Sequence, residues 1–249
     1  MSETRTLLAV MAALFLLPHA VLAGDEAPAL AKDKQALAAL QAYVGAWRGV
    51  GLPKRGSNRG AWTEGAEWSW KFEGGRASLE CTLDDGRFYE SLVVKPGEES
   101  DRFVLLAYPT ADEGDGEAAP QRFTGTMGDD GFVVTADDAE GEEPARISVR
   151  LVAGGDRMLV LYEKRVGDDA YARLAEVGST RKGSSFAKNA AAGPECVVTG
   201  GLGTIAVEHE GKTYYVCCGG CKELFEEDPA GVLADYQQRK AEQRGEESE

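Results

Sequence analysis

The chain has 249 residues and carries 42 Asp and Glu against 27 Lys and Arg, a net charge of −15. That balance argues against nucleic acid or an anionic membrane surface as partner, because both are recognised through excess Lys and Arg. The length suffices for one sizeable domain and a small one.

The N-terminus reads as an export signal. Arg5 precedes an apolar run over residues 7–17, and the small-residue site Val21-Leu22-Ala23 follows, so residues 1–23 are expected to be cleaved after Ala23. A membrane anchor is the competing reading, but the run is short for a bilayer and no later segment approaches about 18 apolar residues. No cysteine stands at the cleavage site to carry a lipid. The expected location is secreted or periplasmic, with no membrane span after cleavage.

Leu30, Leu37, Leu40 and Val44 recur at near-helical spacing, which predicts one short helix over residues 29–44, stopped by Gly45. From Trp47 to Arg181 the pattern changes to short segments of alternating apolar and polar residues. Gly74-Gly75, Asp85-Gly86, Asp129-Asp130, Gly154-Gly155 and Gly167-Asp168 punctuate it with residues that close tight hairpins. Strand cores are expected at 66–72, 77–83, 88–94, 103–108, 122–127, 132–135, 146–152, 158–164 and 171–177. Consecutive strands joined by hairpins predict a mainly β fold, an antiparallel up-and-down sheet over residues 45–182 whose closure into a barrel removes its edges.

Trp62, Trp68, Trp70 and Phe72 share parity and therefore one face of a strand, either as core or as the wall of a cavity. Cys81 shares parity with Ala77, Leu79 and Leu83 and is expected to be a buried, inert thiol. Gly45-Ala46-Trp47 after a short helix and before a strand meander resembles the Gly-x-Trp start of lipocalin-like barrels. The resemblance implies a small apolar ligand in the cup. A haem ligand would need an axial residue, most often His; His19 leaves with the signal and His209 lies beyond the barrel, so histidine-ligated haem is excluded. The acidic runs at 112–117 and 137–143 lack the position pattern of a calcium loop and read as solvated hairpin loops. With no histidine, nucleophile elbow or phosphate-binding glycine loop in the barrel, no catalytic residues are assigned and a binding protein is expected rather than an enzyme.

Residues 183–193 are small, polar and flexible and read as a linker to a second unit over 194–240, followed by a charged tail. There, segments around Ile205 and Lys212 flank His209-Glu210-Gly211 as a hairpin, a helix opens near Cys221 with Leu224 and Phe225 on its apolar side, and Asp228 caps a second helix with Pro229 at its first position. About forty residues bury too little to hold a fold without a staple. Four cysteines offer two kinds, a bound metal or disulfides, and an oxidising compartment keeps the second alternative open. Cys217 at a strand end and Cys221 at a helix start form a knuckle that points two sulfurs at one ion, with Cys196 brought alongside as third ligand. The helix N-terminus is expected to lower the pKa of Cys221. Cys218 and His209 are further candidate ligands, although neighbouring side chains on an extended strand point apart and a hairpin tip is exposed.

Cys196, Cys217 and Cys221, with Lys212-Thr213-Tyr214-Tyr215-Val216-Cys217, Cys221-Lys222-Glu223-Leu224-Phe225 and Asp228-Pro229, resemble a TRASH or YHS domain. The resemblance implies that these three cysteines bind one heavy-metal ion, Zn or Cu(I). It departs from the family at Cys196-Val197-Val198-Thr199-Gly200, where Cys-Gly-Met or Cys-Pro-Val is common.

Overall fold

A computed structural model describes residues 26–99, 102–110, 119–129, 131–136, 138–183 and 193–246. The expected export signal, the first acidic run and most of the expected linker lie outside the described residues. Among the described residues no helix is long and apolar enough to cross a membrane.

The N-terminal segment forms α1 (Glu26–Ala36) and then a separate 3-10 helix, η1 (Ala38–Tyr43), in place of the single helix expected. Ten strands follow: β1 (Gly45–Leu52), β2 (Trp62–Glu73), β3 (Arg76–Asp84), β4 (Tyr89–Pro96), β5 (Arg102–Pro109), β6 (Gln121–Gly128), β7 (Gly131–Ala136), β8 (Arg146–Val152), β9 (Arg157–Arg165) and β10 (Tyr171–Arg181). Each pairs antiparallel with its sequence neighbours and β1 closes on β10, giving an up-and-down barrel. Closure satisfies both edges of the sheet, as the hairpin pattern requires. Gly74 and Gly75 both sit at positive φ in the two-residue turn between β2 and β3, the backbone that a twisted hairpin demands.

The barrel interior is filled by side chains. Trp47, Trp68, Leu79, Leu105, Phe123, Phe132 and Ile147 are all buried on inward positions of different strands. Tyr43 reaches in from η1. Its ring packs on Trp68 of β2 and Phe132 of β7, and its hydroxyl donates to the Val149 carbonyl of β8 at 3.4 Å, so one residue touches opposite walls. The 3-10 helix thus plugs one end. Arg181 lies over the Trp47 ring at 4.1 Å and donates to the Val44 carbonyl, fixing the plug to β1 and β10.

Asp33 ties α1 to the barrel, its carboxylate accepting from Arg76 Nε at 2.6 Å and from the Ala77 N–H at 3.0 Å. Beyond the barrel, β11 (Ile205–His209) and β12 (Lys212–Val216) form a hairpin through Glu210 and Gly211, both at positive φ. Then come α2 (Gly219–Glu227) and α3 (Pro229–Glu246). Asp228 Oδ1 accepts from the Gly231 N–H at 2.9 Å, the cap expected before Pro229. The segment expected to be a charged tail is helical through Glu246.

Candidate metal centre

Three chain segments bring the sulfurs together. Cys196 opens a tight loop in which its N–H donates to the Gly201 carbonyl at 2.6 Å and its carbonyl accepts from the Gly200 N–H at 2.9 Å, with Gly200 in the left-handed region. Val197 and Val198 bury their side chains beneath this loop, and Arg239 of α3 donates to the Val197 carbonyl at 3.1 Å. Cys217 follows the end of β12, and Cys221 lies in the first turn of α2. Both geometries match the knuckle expected from spacing.

Cys196, Cys217 and Cys221 place their sulfurs all within 4.8 Å of one another, and all three are buried. Three thiolates at about 2.3 Å from one ion would stand roughly 4 Å apart, so this triangle fits a single soft metal with little movement. All five cysteines are free thiols, and the Cys217 and Cys221 sulfurs lie 3.5 Å apart, in hydrogen-bond contact and not bonded.

Cys218 departs from the expectation that it points away. Its sulfur is 3.9 Å from that of Cys217 and accepts the Trp70 N–H of β2 at 3.3 Å. Side chains alternate only within a strand, and β12 ends at Val216; Cys218 is the N-cap of α2, where the chain has already turned. Pairing of β1 with β2 stops at Trp68, so the Trp70 amide has no β1 partner and the sulfur takes it. Gly220 packs on the Trp70 carbonyl so closely that a Cβ there would collide with it. The cysteine unit is thereby docked on the barrel.

Protons are shared unevenly among the four sulfurs. Cys196 and Cys218 are held well below the ordinary thiol range, each chiefly because the Cys217 and then the Cys221 thiol donates to it. Cys217 and Cys221 are pushed above that range, first by donating to Cys196. The expected lowering of Cys221 by the helix start is therefore reversed, since its place as donor to its sulfur neighbours outweighs the helix dipole. Lys34 of α1 lies within electrostatic reach of Cys221 and Cys196, and burial lowers its pKa.

No protein family and no curated protein matches the chain. Among solved structures it is similar to the crystal structure of Rv2717c from M. tuberculosis, at 15% identity over 59% of this chain and 97% of that one, with a TM-score of 0.37.

His209 is not brought to the sulfurs. It ends β11 and sets its ring edge against Phe225 at 6.2 Å. The aromatic stripe divides among different partners. Trp68 meets Tyr43 inside the barrel, Trp70 stacks on Phe72 at 5.9 Å and donates its indole N–H to Gln41 of η1, and Trp62 packs on Phe88 and donates to Glu64 at 2.7 Å. Cys81 is buried in the barrel with its pKa raised by desolvation, as expected of an inert thiol. What spacing alone missed is a cleft of about 670 Å³ between η1 and the cysteine unit, lined by Gln41, Ala42, Val44, Leu202, Thr204 and Cys217. It reaches Cys217, one corner of the triangle, and no linear motif marks it because its walls come from distant segments.

Proposed function

We propose that this is an exported two-domain binding protein, not an enzyme, whose C-terminal module is of the TRASH/YHS type. It binds a thiophilic ion, Zn(II) or Cu(I), through Cys196, Cys217 and Cys221 for capture, delivery or sensing. The observation that carries this reading is the buried sulfur triangle assembled from three separate segments. Soft thiolates select Cu(I) and Zn(II) over hard cations. The cleft at Cys217 supplies a path for the ion or for the carrier that hands it over. The alternative, a lipocalin-like barrel carrying a small apolar ligand with the cysteines as a staple, has less behind it, because the inward positions are filled by Trp47, Trp68, Phe123, Phe132 and Tyr43.

Native mass spectrometry of the reduced chain with Zn(II) or Cu(I) tests the reading. Retention of metal against a competing chelator, lost in Cys217→Ser and Cys221→Ser, is the expected result. No retained metal, or retention indifferent to both substitutions, overturns it.

A further inference from the structure

The cysteine unit is wedged against the barrel on two sides. On one, the stretch between Cys217 and Cys221 rests on β2: the Cys218 sulfur accepts the Trp70 N–H at 3.3 Å, and Gly220 packs on the Trp70 carbonyl. On the other, the Cys196 loop rests on η1. The Cys196 N–H donates to the Gly201 carbonyl at 2.6 Å, and the three heavy atoms nearest to where a Gly201 Cβ would stand all belong to the Gln41 side chain. The Trp70 indole N–H donates to Gln41 Oε1 at 2.7 Å and joins the two sides. Contacts therefore run from the Cys217 end of the triangle through Trp70, Gln41 and Gly201 to Cys196, and their middle lies in the barrel domain.

Gln41 is held in this place by the barrel's own packing. Side chains three apart on a 3-10 helix lie on one side, and Leu40 and Tyr43 are the buried pair of η1. Gln41 is turned away from them, toward the cysteine unit. Its amide, gripped by the Trp70 indole, is a wedge behind the Cys196 loop. On the far side of that loop the Val197 N–H donates to the Tyr215 carbonyl of β12 at 2.9 Å, so the loop is clamped between β12 and Gln41.

A thiolate site tolerates little drift, since each sulfur must stand about 2.3 Å from the ion. Groups that orient the ligands from behind change affinity by about 10- to 100-fold when they are removed. Resting on the metal-binding reading above, we infer that Gln41 is a positioning residue for the metal centre. Through it the barrel's plug sets how closely Cys196 approaches the Cys217–Cys221 pair, so the site belongs to both domains and not to the cysteine unit alone. Gln41 and Gly201 also line the cleft that reaches Cys217, which puts the wedge beside the point of entry.

The test is chelator competition on the full reduced chain with Zn(II) and, anaerobically, with Cu(I), comparing Gln41→Ala, Gly201→Ala and the double variant. Gln41→Ala should hold the ion about 10- to 100-fold more weakly. Gly201→Ala should weaken it as well, because its methyl strikes the Gln41 side chain, but should add nothing in the Gln41→Ala background, where that side chain is gone. X-ray absorption should find fewer sulfurs around the ion in loaded Gln41→Ala than in the unaltered chain, a change that a loss of folded protein alone would not produce. Tyr43→Phe, which removes only the plug's hydrogen bond to Val149, should leave retention unchanged. Retention by Gln41→Ala equal to that of the unaltered chain, single losses that simply add in the double variant, an unchanged sulfur count, or an equal loss in Tyr43→Phe overturns the inference and leaves the metal-binding reading in place. No retention by the unaltered chain overturns both. Should Gln41→Ala fail to fold, Gly201→Ala decides, since it alters no residue of the barrel, and undiminished retention there overturns the inference.

Discussion

The barrel and the cysteine unit solve the same problem by different means. The barrel closes ten strands on themselves and fills the space with large side chains, so its stability is spread over many contacts, and burying one such side chain contributes about 1.5–3 kcal/mol. The cysteine unit has one two-stranded hairpin and two helices, with Val197, Val198, Val207, Val216, Phe225 and Val232 as its main apolar core. Its remaining centre is sulfur. Fold in one region therefore depends on area, and in the other on a few groups whose state can be changed chemically.

Metal removal is the strongest way to break that parallel. Binding free energy at a structural thiolate site is on the order of 10 kcal/mol and appears as folding free energy. Hydrogen exchange read by mass spectrometry should show residues 194–240 losing protection when a chelator strips the loaded protein, and also in Cys217→Ser, with strands β3 to β9 unchanged. Equal loss of protection in both regions would mean that the barrel depends on the ion as well.

Acid should act on the same contrast. Cys217 and Cys221 have their pKa values raised by donating to Cys196 and to their other sulfur neighbours, so they hold protons throughout the neutral range and an incoming ion must expel both. Protons and metal compete, so affinity falls as pH falls, by about 100-fold per pH unit while two protons are displaced. Chelator competition between pH 8 and 6 measures the slope. A flat profile would show that the ligands are already deprotonated in the free protein.

The same division decides what could be read from the sequence. The nine strand cores of 66–177 were legible because inward and outward residues alternate and paired turn residues separate them. β1 was not, because its inward positions include Gly49 and Gly51, where a Cβ would collide with Ser179 and with the Trp62 ring. An apolar alternation cannot show where a neighbour's side chain supplies the bulk. The sulfur triangle was legible from spacing, since a hairpin must return Cys217 to Cys196. The approach of Cys218 to Cys217 was not, because it depends on β12 ending at Val216 and on a barrel amide from residue 70, about 150 positions away in the chain. The break between α1 and η1 escaped for a similar reason: Tyr43 must turn inward to meet Trp68 and Phe132, which helical spacing does not encode.

On the barrel side, two buried carboxylates, one on α1 and one on β2, sharpen the comparison, because each should matter to stability and neither to metal. Burial of Asp33 works to raise its pKa, but hydrogen bonds from Arg76 and the Ala77 N–H outweigh this and hold it below the ordinary value. Asp33→Ala would leave the Ala77 amide unpaired and detach α1, at a cost of about 2–3 kcal/mol. Because its folded pKa is depressed, its contribution is present above the unfolded value and lost as pH falls through the folded one. Urea melts at pH 7 and pH 3 should therefore separate the variant from the unaltered protein by more at the higher pH than at the lower.

Glu64 has the opposite sign and the smallest effect. It is buried at the end of the barrel opposite the plug, and desolvation raises its pKa despite hydrogen bonds from Trp62 and the Arg87 amide. A carboxyl with a raised folded pKa binds its proton more tightly in the folded state. Its contribution is greatest below the unfolded pKa and declines as pH rises through the folded one. Near neutral pH the protein thus carries a charge it would be more stable without. Glu64→Gln keeps an oxygen for the Trp62 indole and removes that charge, so it should raise stability by up to about 1 kcal/mol at pH 7, with the gain vanishing toward pH 4. A loss of stability at pH 7 would mean that the ionised carboxylate is well solvated at the barrel mouth. Metal titration of the same variant should be unchanged, since a group that the barrel's packing holds apart from the sulfurs has no route to them except through the docking surface on β2.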